Sequence, residues 1–252
     1  MPQRLLILSA TQQEQALIRS AVRDHQGLTL GHRSAIEGTL CGRSARVIET
    51  GMGAVNTAQA LTAALESSRP TIVLQVGIGG AYTRSGLQVG DLAIASEEAY
   101  GDLGVVTPDG WQDADVIGIP VLRSGDDFYN RFPVDAELSV SAEQALLDAD
   151  WPDGKPEIRR GPFVTVQRCS GTKSVGDELA DRFGAICESM EGAAAAHICK
   201  LYGVRFLEIR GISNQVVDRD LSAWAIPQAA ERSQQAVLAF LGNANIWKSD
   251  RM

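Results

Sequence analysis

Cys187-Glu188-Ser189-Met190-Glu191-Gly192 opens the stretch of sequence that decides the fold, residues 187–220. An alanine-rich segment of helical period follows, and residues 204–214 then form a second apolar run that ends in Ser213-Asn214. This order predicts a strand, a helix and a second strand, with Glu191 and Asn214 at the strand ends. Open α/β sheets bind their ligands at the carboxyl ends of their strands, so we expect the functional site here.

The composition of the whole chain is that of a globular protein. Its 252 residues are enough for one large α/β domain, and 44% of them are hydrophobic while 21% are charged. The formal net charge is −8, with 31 acidic and 23 basic residues and no cluster of lysine or arginine. Binding to nucleic acid needs a positive stripe, so we expect no nucleic-acid partner.

Cysteine usage and the N-terminal residues indicate a cellular compartment. The four cysteines are widely spaced, without a C-x-x-C pair or companion histidines at metal-binding spacing. A reduced, cytoplasmic chain without a bound metal is therefore expected. The apolar run near the N-terminus is too short for a signal peptide or a membrane span and is predicted to be the first strand, so no membrane partner is expected.

Strand and helix patterns alternate along the chain, as in an α/β protein. Strand patterns cover residues 4–10, 45–50, 71–76, 92–96 and 163–168, and helical patterns cover residues 11–22, 54–66, 174–183 and 228–241. Residues 100–160 are irregular apart from a helix predicted near residues 142–149. We predict a single domain over residues 1–252, with an insertion around residues 100–160.

Two glycine clusters follow predicted strands. Gly51-Met52-Gly53 lies between a strand and a helix, and Gly77-Ile78-Gly79-Gly80 ends a buried strand. Such glycines let the backbone approach a ligand, although a tight turn packed against a helix explains the second cluster equally well. The first cluster lacks the third glycine and the acidic residue of a dinucleotide fingerprint, which argues against a Rossmann dehydrogenase.

Polar residues near the predicted strand ends each allow two interpretations. Glu14 fits a capping box with Thr11. The negative charge of Glu191 fits a residue that stabilises the N-terminus of a helix through the helix dipole. Asn214 is a frequent turn residue, and Arg219 between two aspartates is usually a solvated ion pair. A ligand-binding role is the alternative for each, but no Ser-His-Asp set or metal-ligand set accompanies them. The residues alone indicate an α/β enzyme with a polar site.

A set of motifs resembles the nucleoside phosphorylase/nucleosidase superfamily in order and spacing along most of the chain. The motifs are Ala10-x-x-x-Glu14, Gly51-Met52-Gly53, Val76-Gly77-Ile78-Gly79-Gly80, Val89-Gly90-Asp91, Met190-Glu191-Gly192-Ala193-Ala194 and Arg210-Gly211-Ile212-Ser213-Asn214. Within that superfamily, residues 188–194, 210–214 and 218–220 are most similar to the futalosine hydrolases. The resemblance implies a twisted mixed central sheet flanked by helices, no cofactor, a small-molecule nucleoside substrate, and a homodimer or higher homo-oligomer with its cleft near the subunit boundary.

The resemblance also implies roles for individual residues. Glu14 corresponds to the carboxylate that orients and deprotonates the attacking water. Met190 lies under the ribose, Glu191 binds the ribose hydroxyls, and Asn214 meets the purine edge. Such roles suit the chemistry, because cleavage of an N-glycosidic bond needs a base for water and a donor to the departing purine. Backbone near the sugar is expected from Ser189, and close approach of backbone to substrate from the glycines Gly79 and Gly80.

Asn214 favours one purine over another. The runner-up interpretation is a methylthioadenosine nucleosidase or an aminodeoxyfutalosine nucleosidase. Methylthioadenosine nucleosidases usually carry aspartate at this position. The amide of Asn214 can donate to O6 and N7, which favours a 6-oxopurine such as the hypoxanthine of futalosine. Phe163 and Trp224 are candidates to stack on the base, and Arg168 and Arg219 are candidates to meet the carboxylate of the benzoate arm of futalosine.

Glu14 and Ile78 also favour hydrolysis over phosphorolysis. Phosphorylases of this superfamily typically place arginine near the first loop and serine or threonine in the glycine cluster. Here Glu14 would repel phosphate, and Ile78 carries no hydroxyl. We predict a purine nucleosidase that acts on futalosine in menaquinone biosynthesis, with a nucleoside-binding protein lacking turnover as the non-enzymatic alternative.

Overall fold

The computed structural model describes residues 4–243, and a mixed ten-stranded sheet forms its centre. The strands of the described chain are β1 (Arg4–Ser9), β2 (Arg23–Leu30), β3 (Arg33–Leu40), β4 (Arg43–Glu49), β5 (Ile72–Tyr82), β6 (Leu92–Tyr100), β7 (Gly104–Thr107), β8 (Gly110–Asp113), β9 (Leu122–Ser124), β10 (Asp126–Phe128), β11 (Arg131–Pro133), β12 (Ile158–Thr165), β13 (Cys187–Ser189) and β14 (Arg205–Val216). The order across the sheet is β11-β6-β12-β13-β5-β1-β4-β3-β2, and β14 pairs with both β5 and β6. Separate small hairpins are formed by β7 with β8 and by β9 with β10.

Six α-helices flank this sheet in the described chain. They are α1 (Ala16–Ala21), α2 (Ala54–Ser67), α3 (Ala136–Leu147), α4 (Lys173–Phe183), α5 (Gly192–Tyr202) and α6 (Ile226–Gly242). The alanine-rich α5 packs against α2, and α6 packs on β14 and β5. The predicted α/β architecture with a mixed central sheet is therefore confirmed. None of the described helices is long and apolar enough to span a membrane.

β5 and β14 form the parallel pair that places the site. Their apolar residues are buried on both faces, as expected for a central strand of a parallel sheet. β5 does not end at residue 76, as the sequence predicted, but continues through the glycine cluster to Tyr82. The glycines stay in the ladder because β14 pairs with them from Arg210 to Val216, with an irregularity between Ile212 and Asn214.

Most predicted elements form, but several boundaries differ. Helices predicted at residues 54–66, 174–183 and 228–241 are present as α2, α4 and α6. The helix predicted near residues 142–149 begins earlier, because the Asp135 carboxylate accepts a hydrogen bond from Leu138 N at 3.0 Å and caps α3. Residues 100–160 also contain the two hairpins and β11. Of the predicted single domain, residues 1–3 and 244–252 lie outside the described chain.

Candidate active site

A cavity of about 350 Å³ opens where the carboxyl ends of β1, β5 and β14 meet β13. Nine of the residues that the sequence proposed for the site line it: Glu14, Gly79, Gly80, Ser189, Met190, Glu191, Asn214, Arg219 and Trp224. They come from distant parts of the chain and meet because β1, β13 and β14 all pair with β5. These nine residues therefore line one cavity.

Glu14 lies in the turn after β1 and is buried. Its Oε2 accepts hydrogen bonds from the backbone N and the hydroxyl of Thr11, each at 2.9 Å, and Thr11 Oγ1 accepts from Glu14 N at 3.4 Å. The reciprocal bonds of the predicted capping box are therefore present, although α1 begins only at Ala16. Oε1 of Glu14 accepts from Ile78 N at 2.9 Å, which brings this carboxylate to the glycine cluster and the cavity. A residue that only caps α1 would need neither the hydrogen bond from Ile78 N nor a place in the cavity lining.

Glu191 precedes α5 and is buried in the cavity wall. Its side chain does not cap its own helix. Instead Oε1 accepts from Gly53 N at 2.8 Å, and Oε2 accepts from Arg210 Nη2 at 2.9 Å. Since a carboxylate has about four lone-pair sites, two acceptor positions remain for hydroxyl groups of a ligand.

Arg210 is the central cation of the site, and the sequence interpretation missed its role. Its Nη2 binds Glu191, its Nη1 donates to Ile78 O at 2.9 Å, and its Nε donates to Glu208 Oε1 at 2.5 Å. Burial opposes its charged form, but the carboxylates of Glu208 and Glu191 raise the pKa of Arg210 above its ordinary value. The guanidinium thus holds the Glu191 carboxylate in one orientation.

Gly77 lets the side chains of Arg210 and Glu14 approach each other. A Cβ at this position would lie 2.6 Å from both Arg210 Nη1 and Glu14 Oε1. Any side chain here would therefore separate the guanidinium from the carboxylate of the proposed base. Glycine at position 77 is therefore required for side-chain packing, because Arg210 and Glu14 occupy the space that a side chain would fill.

Glu98 and Glu208 form a buried carboxyl pair beside this arginine, and both are fully buried. Glu98 Oε2 accepts from Thr165 Oγ1 at 3.2 Å. Among residues 4–243, Glu98 Oε1 and Glu208 Oε2 have no hydrogen-bond partner, and both lie against Gly192, within 2.5 Å of where a Cβ would stand. Burial, followed by the charge of Glu208, raises the pKa of Glu98 well above its ordinary value. A proton on Glu98 can therefore be donated to Glu208.

Glu98→Gln is expected to make the stability of the protein less dependent on pH. The folded-state pKa of Glu98 is raised, so its stabilising proton is present below about pH 4.5 and is lost as pH rises through the folded-state value. An amide keeps the donor at every pH, so the variant should gain in Tm relative to wild type between pH 5 and pH 8, by ~2–4 °C for each kcal/mol. Thermal unfolding at both pH values, with half-exposed Glu97→Gln as control, checks this; equal pH dependence in wild type and variant would contradict it.

The side chain of Asn214 forms part of the cavity wall, and its amide hydrogen bonds show which of its atoms face a ligand. Its Oδ1 accepts from Ser213 Oγ at 2.8 Å, and its Nδ2 donates to Gln215 O at 3.0 Å. The Gln215 carbonyl can only accept, so it fixes Nδ2 on its side of the amide, and the second hydrogen of Nδ2 remains for a ligand. Asn214 is therefore a positioned donor and not a simple turn residue.

Arg219 is exposed and lies at the edge of the cavity over the ring of Trp224, with its guanidinium carbon 4.8 Å from the ring centroid. The ion pair with the neighbouring aspartates does not form. Asp218 instead accepts from Lys173 N at 3.0 Å, and Asp220 accepts from Ser222 N at 2.9 Å. Within residues 4–243 the Arg219 guanidinium makes no ion pair, so its charge is available to an anionic ligand.

Two of the candidate side chains do not reach the cavity. Phe163 is fully buried in the main hydrophobic core, where β12 pairs with β6 and β13, so the structure does not support it as a base-stacking residue. Strand alternation fixes this orientation, and the sequence pattern alone did not reveal which face of β12 meets the cavity. Arg168 is exposed and also lies outside the lining.

Metal ligands and cysteines add no further group to the site. In the part of the chain that the structure describes, no three or more His, Cys, Asp or Glu side chains are grouped to hold a metal ion. Cys169 lines the cavity with its Sγ 3.6 Å from the sulfur of Met190, and burial raises the pKa of the Cys169 thiol. A neutral thiol at this place is a packing group.

Known proteins with related sequences carry the names expected from the motifs. The futalosine hydrolase of Thermus thermophilus is 32% identical over 195 residues, which cover 77% of this chain and 80% of that protein. A 5′-methylthioadenosine/S-adenosylhomocysteine nucleosidase of Geobacillus thermodenitrificans is 27% identical over 238 residues, covering 93% of this chain and 94% of that protein. Their names agree with the prediction of an N-glycosyl hydrolase.

Solved structures and a family model complete the comparison. The Neisseria meningitidis 5′-methylthioadenosine/S-adenosylhomocysteine nucleosidase in complex with methylthio-immucillin-A superposes with a TM-score of 0.81 at 23% identity, covering 95% of this chain and 99% of that chain. At that identity the similarity establishes the fold alone. The family model described as the phosphorylase superfamily matches residues 4–242, almost the whole described chain. The chain belongs to the phosphorylase superfamily.

Proposed function

We propose that the chain is a futalosine hydrolase, which cleaves the N-glycosidic bond with water and releases hypoxanthine. The observation that carries the proposal is the Asn214 amide in the cavity wall, with a free donor on Nδ2. A donor at this position suits the O6 and N7 acceptors of a 6-oxopurine and opposes the amino group of adenine. Relatives named futalosine hydrolase at 32% identity support the same substrate.

Glu14 and Glu191 divide the chemistry of hydrolysis in this proposal. The ribose lies over Met190, with its hydroxyls on the open acceptor positions of Glu191. Glu14 accepts a proton from the water that attacks the anomeric carbon, because its Oε1 has one donor, Ile78 N, and keeps an open lone pair. As the bond breaks, positive charge develops on the sugar between these carboxylates, and Asn214 stabilises the negative charge of the departing base.

Arg219 supports futalosine over simpler nucleosides. The arm of futalosine ends in a carboxylate, and Arg219 is a cation of the cavity edge without an ion pair in the described chain. A second cleft of about 270 Å³ shares Ser170, Asn214, Arg219 and Trp224 with the main cavity and gives the arm room. Arginine binds carboxylates in a bidentate fork, which suits this assignment.

A phosphate-free incubation with four nucleosides tests the proposal. Futalosine, aminodeoxyfutalosine, methylthioadenosine and inosine are compared by chromatography of the released base. We expect hypoxanthine from futalosine at the highest kcat/KM, and Arg219→Gln should lower kcat/KM about tenfold for futalosine while inosine is unaffected. A rate that requires phosphate would overturn hydrolysis, and faster release of adenine from methylthioadenosine would overturn the assignment of the base.

Methylthioadenosine/S-adenosylhomocysteine nucleosidase is the second candidate. The observation in its favour is coverage, since the Geobacillus thermodenitrificans relative of that name matches 93% of the chain. Against it stands Asn214, which cannot deliver a proton to N7 of adenine as a carboxylic acid would. The same four-substrate comparison separates the two.

The proposal includes a cytoplasmic homodimer that serves menaquinone biosynthesis, as the resemblance implies. Exposed apolar side chains beside the cavity support an interface there. Met52, which lines the cavity, is 64% exposed, and Val55 on α2 is 80% exposed. Sedimentation of the purified protein checks the oligomeric state.

A further inference from the structure

Glu188 is a buried carboxylate in the cavity wall that the proposed chemistry does not use. Its Oε1 accepts from Ser170 N at 3.0 Å, and its Oε2 accepts from Ser170 Oγ at 2.5 Å and from Tyr82 OH at 3.3 Å. Within residues 4–243 it forms no ion pair. Because a carboxylate offers about four lone-pair sites, one acceptor position is still open, on Oε1.

Sheet register places Glu188 opposite Asn214. Glu188 on β13 pairs with Gly80 on β5, and Gly80 pairs on its other side with Asn214 on β14. Directly paired residues of neighbouring strands project to the same face of a sheet, and their strands lie about 4.8 Å apart. Glu188 and Asn214 therefore flank Gly80 on one face, with their Cα atoms about 10 Å apart by this spacing.

Gly80 keeps the space between them open. A Cβ on Gly80 would lie 3.2 Å from Asn214 Nδ2 and 2.9 Å from a methyl carbon of Val216. Glu188, Gly80 and Asn214 all line the cavity. A flat ring can therefore lie between an amide donor on one side and a carboxylate acceptor on the other.

We propose that Glu188 accepts a hydrogen bond from N1–H of a 6-oxopurine and so determines base specificity together with Asn214. The inference rests on the proposed function, because it names a further residue of the same site. Hypoxanthine presents O6 as an acceptor beside N1–H as a donor, which matches the Nδ2 donor of Asn214 and the carboxylate of Glu188. Adenine presents the reverse pattern, an amino donor beside the N1 lone pair, and conflicts with both side chains.

Burial of Glu188 strengthens the discrimination between a 6-oxopurine and a 6-aminopurine. Burial raises the pKa of the Glu188 carboxyl, and the hydrogen bonds from Ser170 and Tyr82 oppose that rise. A buried acceptor without a cation is poorly satisfied when the ligand has no hydrogen to give. The N1–H of a 6-oxopurine supplies that hydrogen, whereas the N1 lone pair of a 6-aminopurine would face the oxygen directly.

A purely structural role is the competing explanation for Glu188. By accepting twice from Ser170, the carboxylate also ties the chain after β12 to β13. If that were its only role, Ser170→Ala, which removes the shorter bond, and Glu188→Gln would weaken all ligands alike. The two variants therefore distinguish positioning of the loop from recognition of the base.

The test uses a pair of ligands that differ only at N1. Calorimetric Kd values are measured for hypoxanthine and for its 1-deaza analogue, in which C–H replaces N1–H, with wild type, Glu188→Gln and Ser170→Ala. Wild type is expected to prefer hypoxanthine by about 10- to 100-fold, the range of a hydrogen bond to a charged group. Glu188→Gln should reduce that preference about tenfold, since a neutral amide replaces the charge, while Ser170→Ala keeps it.

Other outcomes overturn the inference. Equal affinity of wild type for the two bases, or the same preference in wild type and Glu188→Gln, would leave Glu188 a structural residue. Exposed Glu178→Gln on α4 serves as the matched control for loss of a carboxylate and should behave as wild type. Failure of the proposed function is separate, because it would appear as release of adenine and not hypoxanthine by wild type in the four-substrate comparison.

Discussion

Glu14→Gln is expected to lower kcat for nucleoside hydrolysis by about 10³-fold, while the nucleoside still binds. The side chain keeps its size and one acceptor oxygen for the donors of Thr11, but an amide cannot take a proton from water. Glu191 and Arg210, which are proposed to hold the ribose, are untouched by the change. KM or Kd should therefore change much less than kcat.

Base release under phosphate-free conditions gives kcat, and calorimetry with the intact nucleoside gives Kd. Because the carboxylate of Glu14 also accepts from Ile78 N, Tm is measured alongside to separate lost chemistry from lost structure. Glu178→Gln on the surface of α4 is the control. An unchanged kcat would make Glu14 a turn-stabilising residue only, and a wild type that binds without any turnover would favour the binding-protein alternative.

The sequence predicted the location of the site because of a simple property of α/β sheets. Glu14, Glu191 and Asn214 are far apart in the chain, yet Glu14 and Glu191 follow β1 and β13, Asn214 lies near the end of β14, and all three strands pair with β5. Apolar periodicity predicts the alternating order of strands and helices, and this order predicts parallel strands. Open α/β sheets of parallel strands bind ligands at the carboxyl ends of those strands. The capping motif of Glu14 also formed, but it did not exclude a role in the cavity.

Arg210 shows where periodicity stops being informative. Along β14 the charged Glu208 and Arg210 alternate with Leu207 and Ile209, a pattern typical of a strand with one solvated face. Instead β14 is buried along nearly its whole length, because α6, α5 and α3 all pack against it. The signal that could have revealed Arg210 is the charge balance, since buried carboxylates at strand ends need a cation.

Phe163 and Trp224 illustrate a second limit. Both are aromatic and both were candidates to contact the base, but only Trp224 lines the cavity. The orientation of Phe163 depends on its neighbours in the sheet, β6 and β13, and this lateral order is not encoded in local sequence. Trp224 follows β14 in the chain and lies at the cavity with the residues of that strand end.

Arg210→Met is expected to cost about 3–5 kcal/mol of unfolding free energy, the range for breaking a buried ion pair by removing one partner. Methionine fills much of the volume but leaves the carboxylates of Glu191 and Glu208 buried without their cation. Denaturant unfolding measures the loss, with Arg84→Met as control for an exposed ion pair worth less than about 1 kcal/mol.

A second variant separates charge from packing in this prediction. Arg210→Met combined with Glu208→Gln carries one buried negative charge fewer, so it should recover part of the stability lost by Arg210→Met. Activity should not recover, because Glu191 has still lost the guanidinium that fixes its side chain, and in the proposed function this carboxylate binds the ribose hydroxyls. Recovery of stability without activity would mean that Arg210 both balances the buried carboxylates and orients one of them for substrate. If the double variant were no more stable than the single one, the cost would lie in packing, and the charge balance proposed for this site would be wrong.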